Sequence, residues 1–190
     1  PPNPNSQAGA PAALPTSPPT SPPTSPPTSP GQLLARLAEL GIAHDTHRHA
    51  PVFTVEEAKR LRGELPGSHI KNLFLRNKKG RMWLVVLDED RQVDLGRLAD
   101  RLGAGRFSFG SPERLMAHLG VLPGAVTPLS LINDRATAVQ PVIDARILRT
   151  GPVNCHPLTN DMTTAIAPGD LMRFIEACGH KPEIVDFDAG

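Results

Sequence analysis

Lys71 stands inside an apolar run, preceded by Ile70 and followed by Leu73, Phe74 and Leu75. Side chains alternate across a strand, so this ammonium either faces solvent on an amphipathic sheet or enters a pocket where it binds an anion or a carbonyl oxygen. A second candidate is the loop Gly124-Ala125-Val126-Thr127-Pro128, which follows Pro123. It carries few polar side chains, yet a tight turn would expose backbone amides able to hold an oxyanion or a substrate carbonyl; the alternative is a loop packed over the core. A third is Asn154-Cys155-His156-Pro157. It suggests a thiol and its base, but adjacent residues on a strand point to opposite faces and cannot form a Cys–His dyad. Cys155 is therefore expected to be a buried filler, while His156 either positions a substrate or water or serves the structure alone. His44, His47 and His49, with Asp45, are zinc-ligand types, but residues 47 and 49 share a strand face from which 44 points away, and no metal site is expected. No phosphate-binding glycine loop and no Gly-x-Ser-x-Gly elbow occurs, so nucleotide-driven and serine-hydrolase chemistries are excluded.

These residues need elements to position them. Leu33, Leu34, Leu37 and Leu40 recur at helical spacing until Gly41 supplies a C-cap. Residues 42–49 read as a short strand. Thr54 and Glu57 form a capping box for a second helix that runs to about Arg62. Residues 69–76 and 81–87 are strand-like, joined through the hairpin residues Asn77-Lys78-Lys79-Gly80. Leu95, Leu98 and Leu102 mark a third helix, and Ser111, Pro112 and Gly120 bracket a fourth as N-cap, first residue and C-cap. Residues 121–131 form an apolar loop punctuated by Gly and Pro. Strands are expected around 107–109, 138–143, 153–156, 163–167 and 184–187, and a closing helix over 170–177, ended by Gly179. The pattern predicts an α+β domain on a mixed, largely antiparallel sheet with flanking helices.

Residues 1–30 carry no charged side chain and end in tandem Pro-Thr-Ser-Pro units from Pro15 to Pro30. Such a stretch has too little apolar surface to offset the entropy of ordering it and reads as a linker, leaving 31–190 as the folded domain. Pro1 stands where an initiating methionine would, which points to a fragment or a trimmed product. Lys and Arg number 20 against 19 for Asp and Glu, so bulk charge does not mark a nucleic-acid binder and any such contact requires a local basic patch. Cys155 and Cys178 form no disulfide framework, and neither a membrane span nor a signal peptide is present; a cytoplasmic monomer is expected.

Taken together, Pro51 to Glu57, His69-Ile70-Lys71-Asn72-Leu73-Phe74-Leu75, Gly124 to Pro128, Asn154 to Leu158 and Asn160-Asp161 resemble, in order and spacing, the YbaK/prolyl-tRNA synthetase-associated deacylase family. The likeness runs from about residue 32 to 188 and is greatest to the free-standing alanyl-tRNA(Pro) deacylases of the ProXp-ala (PrdX) branch. It implies a YbaK-like editing domain with a curled sheet. The implied activity is hydrolysis of the ester joining a wrong amino acid, alanine foremost, to proline tRNA, with no cofactor. Cysteine or another small amino acid, or a non-catalytic tRNA- or synthetase-binding module of the same fold, are the alternatives. The implied partners are the acceptor end of the mischarged tRNA and prolyl-tRNA synthetase. By the same resemblance Lys71, Gly124 and His156 carry the chemistry. Asn72 lies beside Lys71 at the terminal adenosine. Ala125, Val126, Thr127 and Pro128 receive the aminoacyl group, and Val52, Phe53 and Thr54 line its pocket. Arg106 meets the acceptor stem, and Lys78, Lys79 and Arg81 extend a basic rim. The resemblance also implies a water oriented partly by the substrate's own ribose hydroxyl, with no side-chain nucleophile.

Overall fold

A computed structural model describes residues 25–51, 54, 56–57, 60 and 65–189. Helix α1, Pro30–Glu39, starts in a reciprocal capping box between Ser29 and Gln32 and ends at Leu40. Gly41 and Ile42 then return their amides to the carbonyls of Ala38 and Leu37, each at 2.9 Å, which closes a Schellman motif. The folded unit therefore takes in residues ahead of 31. The Thr28 amide also donates to Asn133 Oδ1 at 2.8 Å.

Strand β1, His44–Arg48, is followed by a second capping box, in which the Glu57 amide donates to Thr54 Oγ1 and the Thr54 amide to the Glu57 carboxylate. The full extent of the helix expected there lies outside the described residues. Strands β2, Ser68–Arg76, and β3, Met82–Asp88, pair antiparallel, with Lys71 opposite Leu87 and Asn72 opposite Val86. Their turn is closed by Asn77, whose amide donates to the Arg81 carbonyl and whose Oδ1 accepts the Arg81 amide. Next come α2, Leu95–Arg101, β4, Ser108–Phe109, and α3, Pro112–Leu119. Ser111 caps α3 and Gly120, at φ 64°, ends it. A Cβ there would sit 2.8 Å from that of Pro27, so this position needs glycine for both conformation and space. A 3-10 helix, Pro128–Asn133, leads to β5, Val139–Asp144, and a short 3-10 turn, Ala145–Leu148. The chain continues through β6, Val153–Cys155, β7, Met162–Ile166, α4, Pro168–Ala177, and β8, Glu183–Val185.

The eight strands make one mixed sheet in the order β1-β7-β6-β2-β3-β5-β8, with β4 also on β2. Ladders β1–β7, β6–β7, β2–β3 and β2–β4 are antiparallel, whereas β2–β6, β3–β5 and β5–β8 are parallel. Long connections containing helices account for the parallel pairs, since a two-residue turn cannot join parallel strands.

β3 is buried on both faces, which explains its unbroken apolar run. Met82, Leu84 and Val86 enter a core with Phe74 of β2, Leu33 and Leu37 of α1, and Phe174 of α4. Trp83, Val85 and Leu87 enter a second core with Leu75, Leu98 of α2 and Phe107. Each fully buried side chain of this size contributes about 1.5–3 kcal/mol. Among the described residues no helix is long and apolar enough to cross a membrane.

Candidate active site

One edge of β2 is paired with β3 over residues 70–76, but the other is paired only at its two ends. β6 leaves after His69 and Asn154, and β4 joins only at Leu75. Between them lies a stretch of open edge. The Ser68 amide donates to Pro152 and the Phe74 carbonyl accepts from Gly110, so the even-numbered residues direct their backbone groups to this side. The peptide groups of Ile70 and Asn72 thus face the opening. Lys71 lies two residues past the last β2–β6 pair, His69 with Asn154, and His156 follows Cys155, the last residue of β6. The residues with chemical potential gather where the ladder stops.

Lys71 and Asn72 do not stand side by side, because consecutive strand residues point to opposite faces. Asn72 shares the face of Ile70 and Phe74, and its Nδ2 donates to the Val126 carbonyl at 2.9 Å. That bond brings the 124–128 loop onto the opening. Asn72 Oδ1 is buried with no hydrogen-bond partner among the described residues, an acceptor open to a donor. Lys71 shares the face of Leu73 and Leu75, and its Nζ donates to the Arg91 carbonyl. The unpaired edge of β2 thus has Asn72 on one face of the sheet and Lys71 on the other.

Gly124 adopts φ 90°, a conformation that L residues reach only under strain. Ala125 is buried, and its amide is used by the Leu122 carbonyl at 3.0 Å. Thr127 and Pro128, expected at the aminoacyl group, are buried and maintain the loop itself. Thr127 Oγ1 accepts the Leu129 amide, the Thr127 carbonyl accepts the Ser130 hydroxyl, and Pro128 opens the 3-10 helix. Gly124 and Val126 remain as the parts of the loop that are not buried.

His156 is half-buried, and its Nδ1 lies 2.9 Å from the Met162 carbonyl. A carbonyl only accepts, so Nδ1 carries the proton. Burial, reinforced by His49, holds the imidazole below its ordinary pKa of 6.5. The neutral ring therefore presents a lone pair at Nε2. His49, weighed in the sequence only as a metal ligand, stands with its ring centroid 6.3 Å from that of His156 and its Nε2 2.9 Å from Thr163 Oγ1. Its neighbours on β1 are engaged separately, His47 with Asp45 and His44 with the Ile42 carbonyl. Cys155 faces the core, where burial pushes its thiol pKa up to about 12, so it is no nucleophile at neutral pH.

The other candidates lie apart. Lys78, Lys79, Arg81 and Arg106 are exposed around the β2–β3 turn and the approach to β4, with Arg81 5.1 Å over the Trp83 ring. Lys78 lies in the turn beyond Arg76, itself about 17 Å along β2 from Lys71 at 3.3 Å per residue, so only a large ligand can touch both. Thr54 caps its helix, and Val52 and Phe53 lie outside the described residues.

Two further groups had no clear signal in the sequence. Arg91 follows the Asp88-Glu89-Asp90 turn, and the hairpin register alone hints that this turn reaches Lys71, because Leu87 lies opposite it. Asp144 ends a strand and is wholly buried, its Oδ2 2.5 Å from Arg91 Nε.

Known proteins resemble this chain in sequence and in fold. Residues 49–174 match the model of the aminoacyl-tRNA editing domain. A zebrafish (Danio rerio) protein named prolyl-tRNA synthetase associated domain-containing protein 1 is 41% identical over 154 residues, covering 80% of this chain and 84% of that protein. The prolyl-tRNA editing protein ProX of Acetoanaerobium sticklandii is 37% identical over 155 residues, covering 81% and 94%. A solved structure described as a proposed trans-editing enzyme for prolyl tRNA synthetase superposes with a TM-score of 0.64 at 20% identity, over 84% of this chain and 96% of that one, and so shares the fold. The chain is a member of the aminoacyl-tRNA editing domain family.

Proposed function

We propose that this protein hydrolyses the ester linking a wrongly attached small amino acid, alanine foremost, to the terminal ribose of proline tRNA. The observation that carries the reading is the open edge of β2, where Lys71, Asn72 and His156 lie within three residues of the end of the β6 ladder and Asn72 holds the 124–128 loop. The relatives named for prolyl-tRNA editing and for association with prolyl-tRNA synthetase support the choice of tRNA and suggest the synthetase as a partner. Such help is needed because a pocket shaped for proline rejects a smaller amino acid by only about 1–3 kcal/mol per missing methylene.

In this mechanism His156 Nε2 accepts a proton from the attacking water or from the adjacent ribose hydroxyl that orients it. The water oxygen bonds to the ester carbonyl carbon, and charge develops on the carbonyl oxygen. Backbone N–H groups at the opening, from Asn72 and the Gly124 loop, meet that oxygen, a contribution of about 3–4 kcal/mol for one well-placed donor. The bond from the carbonyl carbon to the ribose oxygen breaks, and the proton is returned to that oxygen. Lys71 holds the terminal phosphate or the carbonyl oxygen. The exposed basic residues near the hairpin lie far enough away to meet the acceptor stem rather than its terminal adenosine.

Separately charged Ala-, Cys-, Ser- and Pro-tRNA(Pro) provide the test. Alanine should be released fastest and proline spared. Preferential release of cysteine would move the substrate to another small amino acid, and no turnover on any of the four would leave a binding module instead.

The state of His156 sets the pH dependence. Its pKa in the folded protein is depressed, so the neutral, active ring persists below pH 6.5 and is lost as pH falls through the lowered value. After correction for uncatalysed hydrolysis, the rate should be flat near neutrality with an acid limb centred below 6.5. In His156→Gln the rate should fall and the limb disappear. An unchanged limb in the variant would remove His156 from the mechanism.

A further inference from the structure

The Lys71 ammonium is held by a backbone carbonyl whose own residue is clamped from outside the opening. Lys71 Nζ donates to the Arg91 carbonyl. The Arg91 guanidinium donates through Nε to Asp144 Oδ2 at 2.5 Å, and through Nη1 and Nη2 to both oxygens of Asp188 at 2.9 and 2.8 Å. It also lies 5.4 Å from the centroid of the Phe187 ring. Arg91 is only 8% exposed, whereas Asp188 is 60% exposed. The segment 186–188, which follows β8, is fastened in turn. Arg101 Nη1 donates to the Asp186 carbonyl at 2.8 Å, and Arg149 Nη2 to Asp186 Oδ2 at 2.7 Å. These bonds make 186–188 a strap across Arg91.

We propose that this strap, acting through Arg91, positions the Lys71 ammonium at the opening in the sheet. The inference rests on the reading of Lys71 as the group that holds the substrate. An ammonium has three N–H donors; the Arg91 carbonyl takes one and so directs the other two. A lysine side chain otherwise spreads over many rotamers along its flexible stem. Bidentate pairing with a carboxylate fixes a guanidinium in direction as well as distance, so Asp188 sets where Arg91, and with it the carbonyl, can sit. Arg91 and Asp188 touch no substrate in this arrangement and are positioning residues.

The test uses the full chain with Asp188→Ala and the conservative Asp188→Glu. Kinetics of Ala-tRNA(Pro) deacylation are measured alongside NMR of otherwise unmodified protein carrying 13C at the lysine Cε, with Lys71 assigned through Lys71→Arg. Asp188→Ala should lower kcat roughly tenfold, the order expected when a flexible lysine loses its fixed rotamer, with KM changed less. The Lys71 resonance should move toward those of the exposed Lys78 and Lys79. Asp188→Glu should restore both signals in part, and thermal unfolding should stay close to wild type in each variant because Asp188 is exposed. If either kcat or the Lys71 resonance is unmoved in folded Asp188→Ala, the strap does not position the lysine. Failure of the underlying reading looks different: Lys71→Ala would then retain full activity, while the resonance would still report whether the strap holds Lys71.

Discussion

Lys71→Ala should lower the rate of Ala-tRNA(Pro) deacylation by roughly a hundred- to a thousand-fold, the usual loss when one preorganised electrostatic contact to developing charge is removed. Stability should change little, because Lys71 is only half-buried and the freed Arg91 carbonyl is one acceptor. The division of the loss between kinetic constants identifies what the ammonium touches. A contact with the terminal phosphate is the same in ground and transition states and would raise KM with kcat unchanged. A contact with the ester oxygen strengthens as charge develops and would lower kcat. Lys71 lies just past the last β2–β6 pair, next to the backbone amides proposed to meet the ester oxygen, so we expect the kcat effect to dominate. Wild-type turnover by a folded Lys71→Ala protein would end the hydrolase assignment of this residue.

Asp144→Ala should be the most destabilising single change near the site, by about 3–5 kcal/mol, the range found when one partner of a buried ion pair is removed. Asp144 is wholly buried and Arg91 nearly so. The carboxylate also accepts the Arg146 amide at 3.0 Å and thereby starts the 3-10 turn after β5. Loss of the side chain leaves a guanidinium with one carboxylate instead of two and a turn without its cap. For a domain of this size the melting temperature should fall by roughly 6–20 °C. Asp144→Asn, which keeps an oxygen acceptor, should lose less. Urea unfolding decides the matter, and a loss under about 1 kcal/mol would show that Asp188 alone satisfies Arg91.

Much of the fold was legible because its signals are local. Ser111, Pro112 and Gly120 lie within one helix and its caps, and they bound α3 in the structure as expected. The hairpin at residues 77–80 and the Schellman turn at Gly41 follow from backbone requirements a few residues apart. That Cys155 and His156 face opposite ways follows from strand alternation alone. The same rule, applied to β2, separates Lys71 from Asn72, although the family resemblance places them together at the substrate. Thr127 and Pro128 were expected to meet the aminoacyl group; both are buried within the architecture of their own loop, because a 3-10 helix begins there.

What the sequence by itself determined is the identity of the groups and the elements that carry them: a lysine and an asparagine on one strand, a histidine just past another, and a glycine loop between helices. Caps, turns and side-chain periodicity act over a few residues and can be read without knowing which strands meet. Only the tertiary structure decided that β6 leaves β2 after His69, so that the opening falls at these residues. Only it placed Arg91, Asp144 and Asp188 behind Lys71, and His49 beside His156. Those contacts join residues far apart in the chain. They depend on which strands pair and on the burial of charges that are stable only together, and neither condition leaves a mark in local spacing.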